Sequence, residues 1–98
     1  VTIENYFSKK LRFGNKRVTL EGTVVEFSKA GSGEVHIELS GSDNNSIQVY
    51  IDQRVWKKKE IKDILKTLKE GDRVNIRGTF MMEGGAMAVF TGTTLSKK

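Results

Sequence analysis

The sequence contains no cysteine and no proline. Without cysteine there is no disulfide framework, no thiolate nucleophile and no cysteine-ligated metal site. Without proline nothing imposes a break on a strand, so strands can run long. One histidine leaves no paired-histidine metal site. No apolar run approaches the roughly 20 residues of a membrane span, and no basic, apolar, small-residue signal opens the chain. We therefore expect a soluble, cytoplasmic protein with no membrane partner. Repeats and low-complexity linkers are also missing. The chain opens on Val1, which leads us to expect a domain excised or processed from a longer protein. Its 98 residues are the size of one domain, able to bury a core without staples.

What is present is alternation. In residues 17 to 27, Val18, Leu20, Gly22 and Val24 alternate with Arg17, Thr19, Glu21 and Thr23, the period of a half-buried strand. Gly22 falls where such a strand would bend to serve both halves of a barrel. After the turn-rich Lys29-Ala30-Gly31-Ser32-Gly33, Val35, Ile37 and Leu39 point one way and Glu34, His36 and Glu38 the other. Gly41 to Ser46 is a turn by composition, and Ile47, Val49 and Ile51 then alternate with Gln48, Tyr50 and Asp52, so strands two and three should form a hairpin. The period changes at Ile61, Ile64, Leu65 and Leu68, one apolar stripe of a helix otherwise covered by lysine, with Gly71 at its expected C-terminal cap. Val74, Ile76, Gly78 and Phe80 alternate with Arg73, Asn75, Arg77 and Thr79. Glu83-Gly84-Gly85 should turn the chain into a last strand from Met87 to Leu95.

Residues 1 to 16 fit two readings. Ile3, Tyr6, Phe7 and Leu11 suit a short helix capped by Thr2 across one barrel end, or the segment is an unstructured arm. The expected organisation is thus an N-terminal arm or short helix over 1–16 and a barrel over 17–98. The fold class is all-β with one helix: a five-stranded Greek-key barrel of the oligonucleotide-binding (OB) type, the helix between strands three and four.

Three segments sharpen this. Val18-Thr19-Leu20-Glu21-Gly22-Thr23-Val24, Ser46-Ile47-Gln48-Val49 and Gly71-Asp72-Arg73-Val74-Asn75-Ile76-Arg77-Gly78 resemble strands one, three and four of the anticodon-binding class of OB domains. That class occurs in class II tRNA synthetases and in DNA-processing enzymes. The resemblance covers about residues 17 to 95 and implies the fold more firmly than a ligand, because barrel geometry alone dictates much of the pattern. Ile51-Asp52-Gln53-Arg54-Val55-Trp56 is also similar to the strand-three ending of small bacterial exported OB proteins, which implies a small ligand instead.

OB domains that bind single strands stack bases on aromatics and hold phosphates with cations. His36 and Tyr50 project outward on neighbouring strands, with Gln48 beside them to bond base edges. Lys9, Lys10, Arg12, Lys16 and Arg17 are interleaved with Phe7 and Phe13, a mixture suited to phosphate contact and stacking. Lys57 and Lys58 lead a lysine-rich helix, Arg77 lies outward on strand four, and Trp56 is placed to stack a base or plug the barrel end. Each has a plain alternative: a lysine-covered helix face keeps a helix soluble, and an exposed ring merely covers barrel surface. The expected partner is single-stranded DNA or RNA, with no cofactor and no metal. Glu34 and Glu38 share a strand face, but nothing places a substrate cleft beside them, so no enzyme is expected.

Charge is unevenly distributed. The chain has 17 Lys and Arg against 12 Asp and Glu, a net +5. Residues 18 to 52 hold one lysine and six carboxylates, a net −5, whereas residues 9 to 17 carry a net +5 and residues 53 to 69 another +5. An acidic strand face argues against strong phosphate binding there. It admits a second class of function, an interaction or regulatory domain that docks a protein partner on that face.

Overall fold

Each strand carries its large apolar residues on alternate positions, and only a closed sheet lets all of those positions face one core. The computed structural model, which describes residues 1–29, 34–42, 45–52, 54, 57–83 and 88–97, closes the sheet in that way. Strands β1 (Val18–Lys29), β2 (Val35–Ser40), β3 (Ser46–Ile51), β4 (Arg73–Met82) and β5 (Val89–Lys97) form a barrel in the order β1-β2-β3-β5-β4. Helix α1 (Ile3–Ser8) precedes the barrel, and helix α2 (Lys59–Thr67) lies between β3 and β4. This is the five-stranded barrel with one intervening helix that the alternation predicts, and it is OB-like.

All neighbouring strands pair antiparallel except β3 and β5, which are parallel. The inward positions are fully buried: Leu20 and Val24 on β1, Ile37 and Leu39 on β2, Ile47, Val49 and Ile51 on β3, Val74 and Ile76 on β4, and Phe90 on β5. Each contributes about 1.5–3 kcal/mol relative to an exposed side chain. The two helices occupy opposite ends. Ile3 and Tyr6 of α1 are buried, and Ile61 of α2 is buried with Ile64 and Leu65 packed against the same core. The Thr2 hydroxyl caps α1 by accepting from the Asn5 N–H at 3.2 Å.

Two strand glycines serve close approach. A Cβ on Gly22 would stand 2.5 Å from Ile3 Cδ1, so the first strand is thin where α1 lies over it. A Cβ on Gly78 would run into the carbonyl oxygen of Thr91, at the point where the β4–β5 register shifts.

The structure corrects the sequence reading at three places. A bulge between Val24 and Glu26 breaks the β1 alternation, leaving Val25 exposed and turning Phe27 toward the core. Gly71 is not the cap of α2. The helix ends at Thr67 with Leu68 extended at the cap, and Gly71, at φ +92°, serves the following turn, where its N–H bonds Val24 at 2.8 Å. The last strand runs Val89–Lys97, two residues later than expected at each end. Met87 and the hairpin glycines Gly84 and Gly85 lie outside the described residues, as do Gln53, Val55 and Trp56.

Helix α1 ends in a Schellman arrangement without glycine. The Lys10 N–H bonds the Phe7 carbonyl at 3.2 Å and the Leu11 N–H bonds Tyr6 at 3.0 Å, which forces Lys10 to φ +53°. Side chains resist that region. Lys10→Gly should therefore stabilise the protein by about 0.5–1 kcal/mol in urea unfolding, and an unchanged or lower midpoint would count against strain there. Gly78→Ala should cost at least about 3 kcal/mol in the same assay, since the clash is with backbone that cannot rotate away.

Candidate nucleic-acid interface

His36 and Tyr50 are directly opposed in the β2–β3 ladder, and parity turns both outward. Their rings stack, with centroids 4.4 Å apart and planes inclined by 10°. Tyr50 is also opposed to Thr91 of β5 on its other side, so its ring stands between His36 and an open groove. Glu34, Tyr50, Asp52, Met81, Val89 and Thr91 line that groove, which has a volume of about 340 Å³. Gln48 lies on the same face and donates to Glu38 Oε1 at 2.7 Å. The Nε2 atom of His36 is buried without a hydrogen-bond partner among the described residues. A smaller hollow of about 50 Å³, lined by Glu26, Ser28, His36, Glu38 and Gln48, adjoins it.

The face is acidic. Glu26 is opposed to Glu38 across β1–β2, and Glu34 and Asp52 sit at the groove. The backbone N–H of Arg54, and then its guanidinium, hold the Asp52 carboxyl below its usual range, so it is ionised at neutral pH. The Arg54–Asp52 contact of 3.3 Å is exposed and worth little energetically. Glu21, outward on β1, lies on the β1–β4 stretch and pairs with Arg73 at 3.2 Å.

The basic arm is fastened at the groove's Met81 end by one carboxylate. Glu83, just beyond β4, accepts the Tyr6 hydroxyl at 2.9 Å, the Phe13 N–H at 3.0 Å and the Gly14 N–H at 3.0 Å. Desolvation pushes the Glu83 carboxyl up, but those N–H groups, the Tyr6 hydroxyl and the Arg12 charge outweigh it and hold it below its ordinary value. Tyr6 responds in the opposite sense. Burial, followed by its bond to the Glu83 anion, pushes its hydroxyl up to about 12.

Phe13 is half-buried in this cluster, its ring parallel to Phe80 at 6.1 Å and to Tyr6 at 6.2 Å. The Arg12 guanidinium lies 5.7 Å over the Tyr6 ring and donates to the Leu11 carbonyl at 2.6 Å. Both residues thus hold the arm in place. Lys9, Lys10, Lys16 and Arg17 are exposed, as are Lys57 and Lys58 just before α2. Arg77 is exposed on β4 and donates to Thr19 at 3.3 Å, on the β1–β4 stretch rather than beside Tyr50.

Of the residues expected at a binding face, the structure gathers His36, Gln48 and Tyr50 together and leaves Arg77 apart. The sequence reading missed Val89, Thr91 and Met81 as neighbours of Tyr50, because alternation gives the face a residue takes but not which strands are adjacent. It also read Glu83 as turn material only. No group of three or more metal-ligating side chains is gathered among the described residues, and none of the helices among them is long and apolar enough to cross a membrane. No protein-family model matches the chain, and no curated protein matches it.

The Glu83 clamp has a definite pH signature. A carboxyl depressed in the folded state contributes stability that is present above the ordinary glutamate range and is lost as pH falls through the lower folded value. Glu83→Gln should cost about 2 kcal/mol at neutral pH and should flatten the fall in melting temperature on acidification below the usual glutamate range. A parallel acid limb in the variant and the parent would remove Glu83 from that role.

Proposed function

We propose that the protein is a single-stranded nucleic-acid-binding module with little sequence preference, acting by binding rather than catalysis. The observation that carries this reading is the outward Tyr50 ring, backed by His36 on one side and open to a groove of about 340 Å³ on the other. A base stacked on that open side would lie against Val89 and Thr91, with Met81 at the groove's edge. Every base has a face to stack, so such a platform is tolerant of sequence. The Glu34 and Asp52 carboxylates repel phosphate but accept hydrogen bonds from base amino groups. They therefore favour an orientation with bases inward and phosphates at the margins. Lys9, Lys16 and Arg17 on the clamped arm provide a cationic margin.

The test is fluorescence anisotropy with labelled oligothymidylate, oligouridylate and duplex DNA at two salt concentrations. Tyr50→Ala should weaken single-strand binding by about 1–3 kcal/mol, and unchanged affinity would remove the ring from the site. Replacing Lys9, Lys16 and Arg17 together by glutamine should reduce the salt slope by up to about 2. An unchanged slope would show that phosphates run elsewhere.

One specific observation favours a second reading. Glu26, Glu34, Glu38 and Asp52 all lie on the face around Tyr50, a surface suited to a cationic segment of a protein partner. A lysine-rich peptide that binds in the same titration while both oligonucleotides fail to bind at low salt would decide for it.

A further inference from the structure

At the α2 end of the molecule, the β1–β2 hairpin outruns the barrel. Strand β4 pairs with β1 only from Val18 to Thr23, whereas β2 pairs with β1 from Thr23 to Lys29. Beyond the bulge, Glu26 to Ser28 of β1 are therefore laddered on one side, to β2 alone among the described strands. Phe27 and Lys29 are opposed to Ile37 and Val35, so these four residues share the hairpin's inner face. Helix α2 covers that face incompletely. Between them is a slot of about 210 Å³, lined by Phe27, Val35 and Leu65 and rimmed by Lys29, Lys62 and Lys66.

We propose that this slot is a docking site for an acidic, extended peptide segment of a partner protein that carries one large apolar side chain. The apolar side chain fills the space between Phe27, Val35 and Leu65, a volume suited to a phenylalanine or leucine. Flanking carboxylates meet the lysine rim, and the peptide backbone lies along the one-sided stretch of β1, the mode by which open strand edges accept a further strand. Charge decides the kind of occupant, since the ammonium groups of Lys62 and Lys66 beside an apolar slot match an acidic segment and repel a basic one. A nucleic acid fits less well, because among the described residues the walls offer aliphatic and aromatic carbon and no side-chain group that reads a base edge. The site stands at the opposite end of the barrel from the Glu83 clamp and does not depend on the Tyr50 face.

The probe is a short fluorescein-labelled peptide with a central phenylalanine flanked by glutamates and aspartates, titrated with the whole chain. Two control peptides carry a central alanine, or glutamine and asparagine in place of the acids. The parent peptide should bind, each control should bind at least about tenfold more weakly, and amide shifts in NMR spectra should centre on Phe27, Val35 and Leu65. Lys62→Glu with Lys66→Glu, both exposed on α2 and checked for an unaltered circular dichroism melt, should reduce affinity by about tenfold or more. Absence of binding overturns the proposal, as do equal affinities for the phenylalanine and alanine peptides, shifts centred on His36 and Tyr50, or displacement of the peptide by oligothymidylate at equal concentration.

Discussion

The parallel pairing of β3 with β5 is the constraint on which the rest of the molecule depends. Without it the five strands would form an open sheet with two long edges, and the inward residues of β3 and β5 would have no common core. The register sets Val49 beside Phe90 and Ile51 beside Gly92 on the inside, and Gln48 beside Val89 and Tyr50 beside Thr91 on the outside. One closure thus completes the hydrophobic interior and builds the groove against which Tyr50 stands. A slip of one residue would turn Tyr50 inward and Val49 outward, which the buried face forbids.

Closure leaves two open barrel ends, and the sequence covers them differently. At one end, α1 contributes Ile3 and Tyr6 to the core, and Glu83 ties the following arm to the end of β4 through Phe13 and Gly14. At the other, α2 supplies Ile61 and leaves an apolar slot beside the overhanging hairpin. Most of the basic residues follow these two elements, whereas Glu26, Glu34, Glu38 and Asp52 gather on the strand face around Tyr50. The charge separation seen along the sequence is therefore, in part, also a separation in space.

The barrel was legible because its signal is local. Alternation in β1 to β4, the apolar stripe of α2 and the placement of Gly22 and Gly78 are all written in runs of a few residues. The candidate face was legible only by half, for the same reason. Parity found His36, Gln48 and Tyr50, but the neighbours supplied by β5 depend on a pairing between strands about forty positions apart. The β1 bulge was not legible, since Val24, Val25 and Phe27 are equally apolar and only the partner strand decides which of them is displaced. Phe13 looked like a stacking residue because no strand pattern claimed it; what claims it is an aromatic cluster assembled from α1, β4 and the arm.

The acidic strand face and a stacking platform are compatible once magnitudes are compared. A carboxylate and a phosphate about 10 Å apart in water repel by about 0.4 kcal/mol, and physiological salt, with a Debye length of about 8 Å, reduces this further. Stacking one base on an aromatic ring contributes about 1–3 kcal/mol. Exposed carboxylates at that distance therefore weaken binding without preventing a base from stacking on Tyr50. A phosphate brought within about 4 Å of the same carboxylate faces about 1 kcal/mol of repulsion in water, more where the groove walls lower the local dielectric. On the proposed reading, the electrostatics would thus select an orientation rather than exclude a ligand: bases would enter the groove, and the sugar-phosphate backbone would be driven outward toward the exposed cations of the arm.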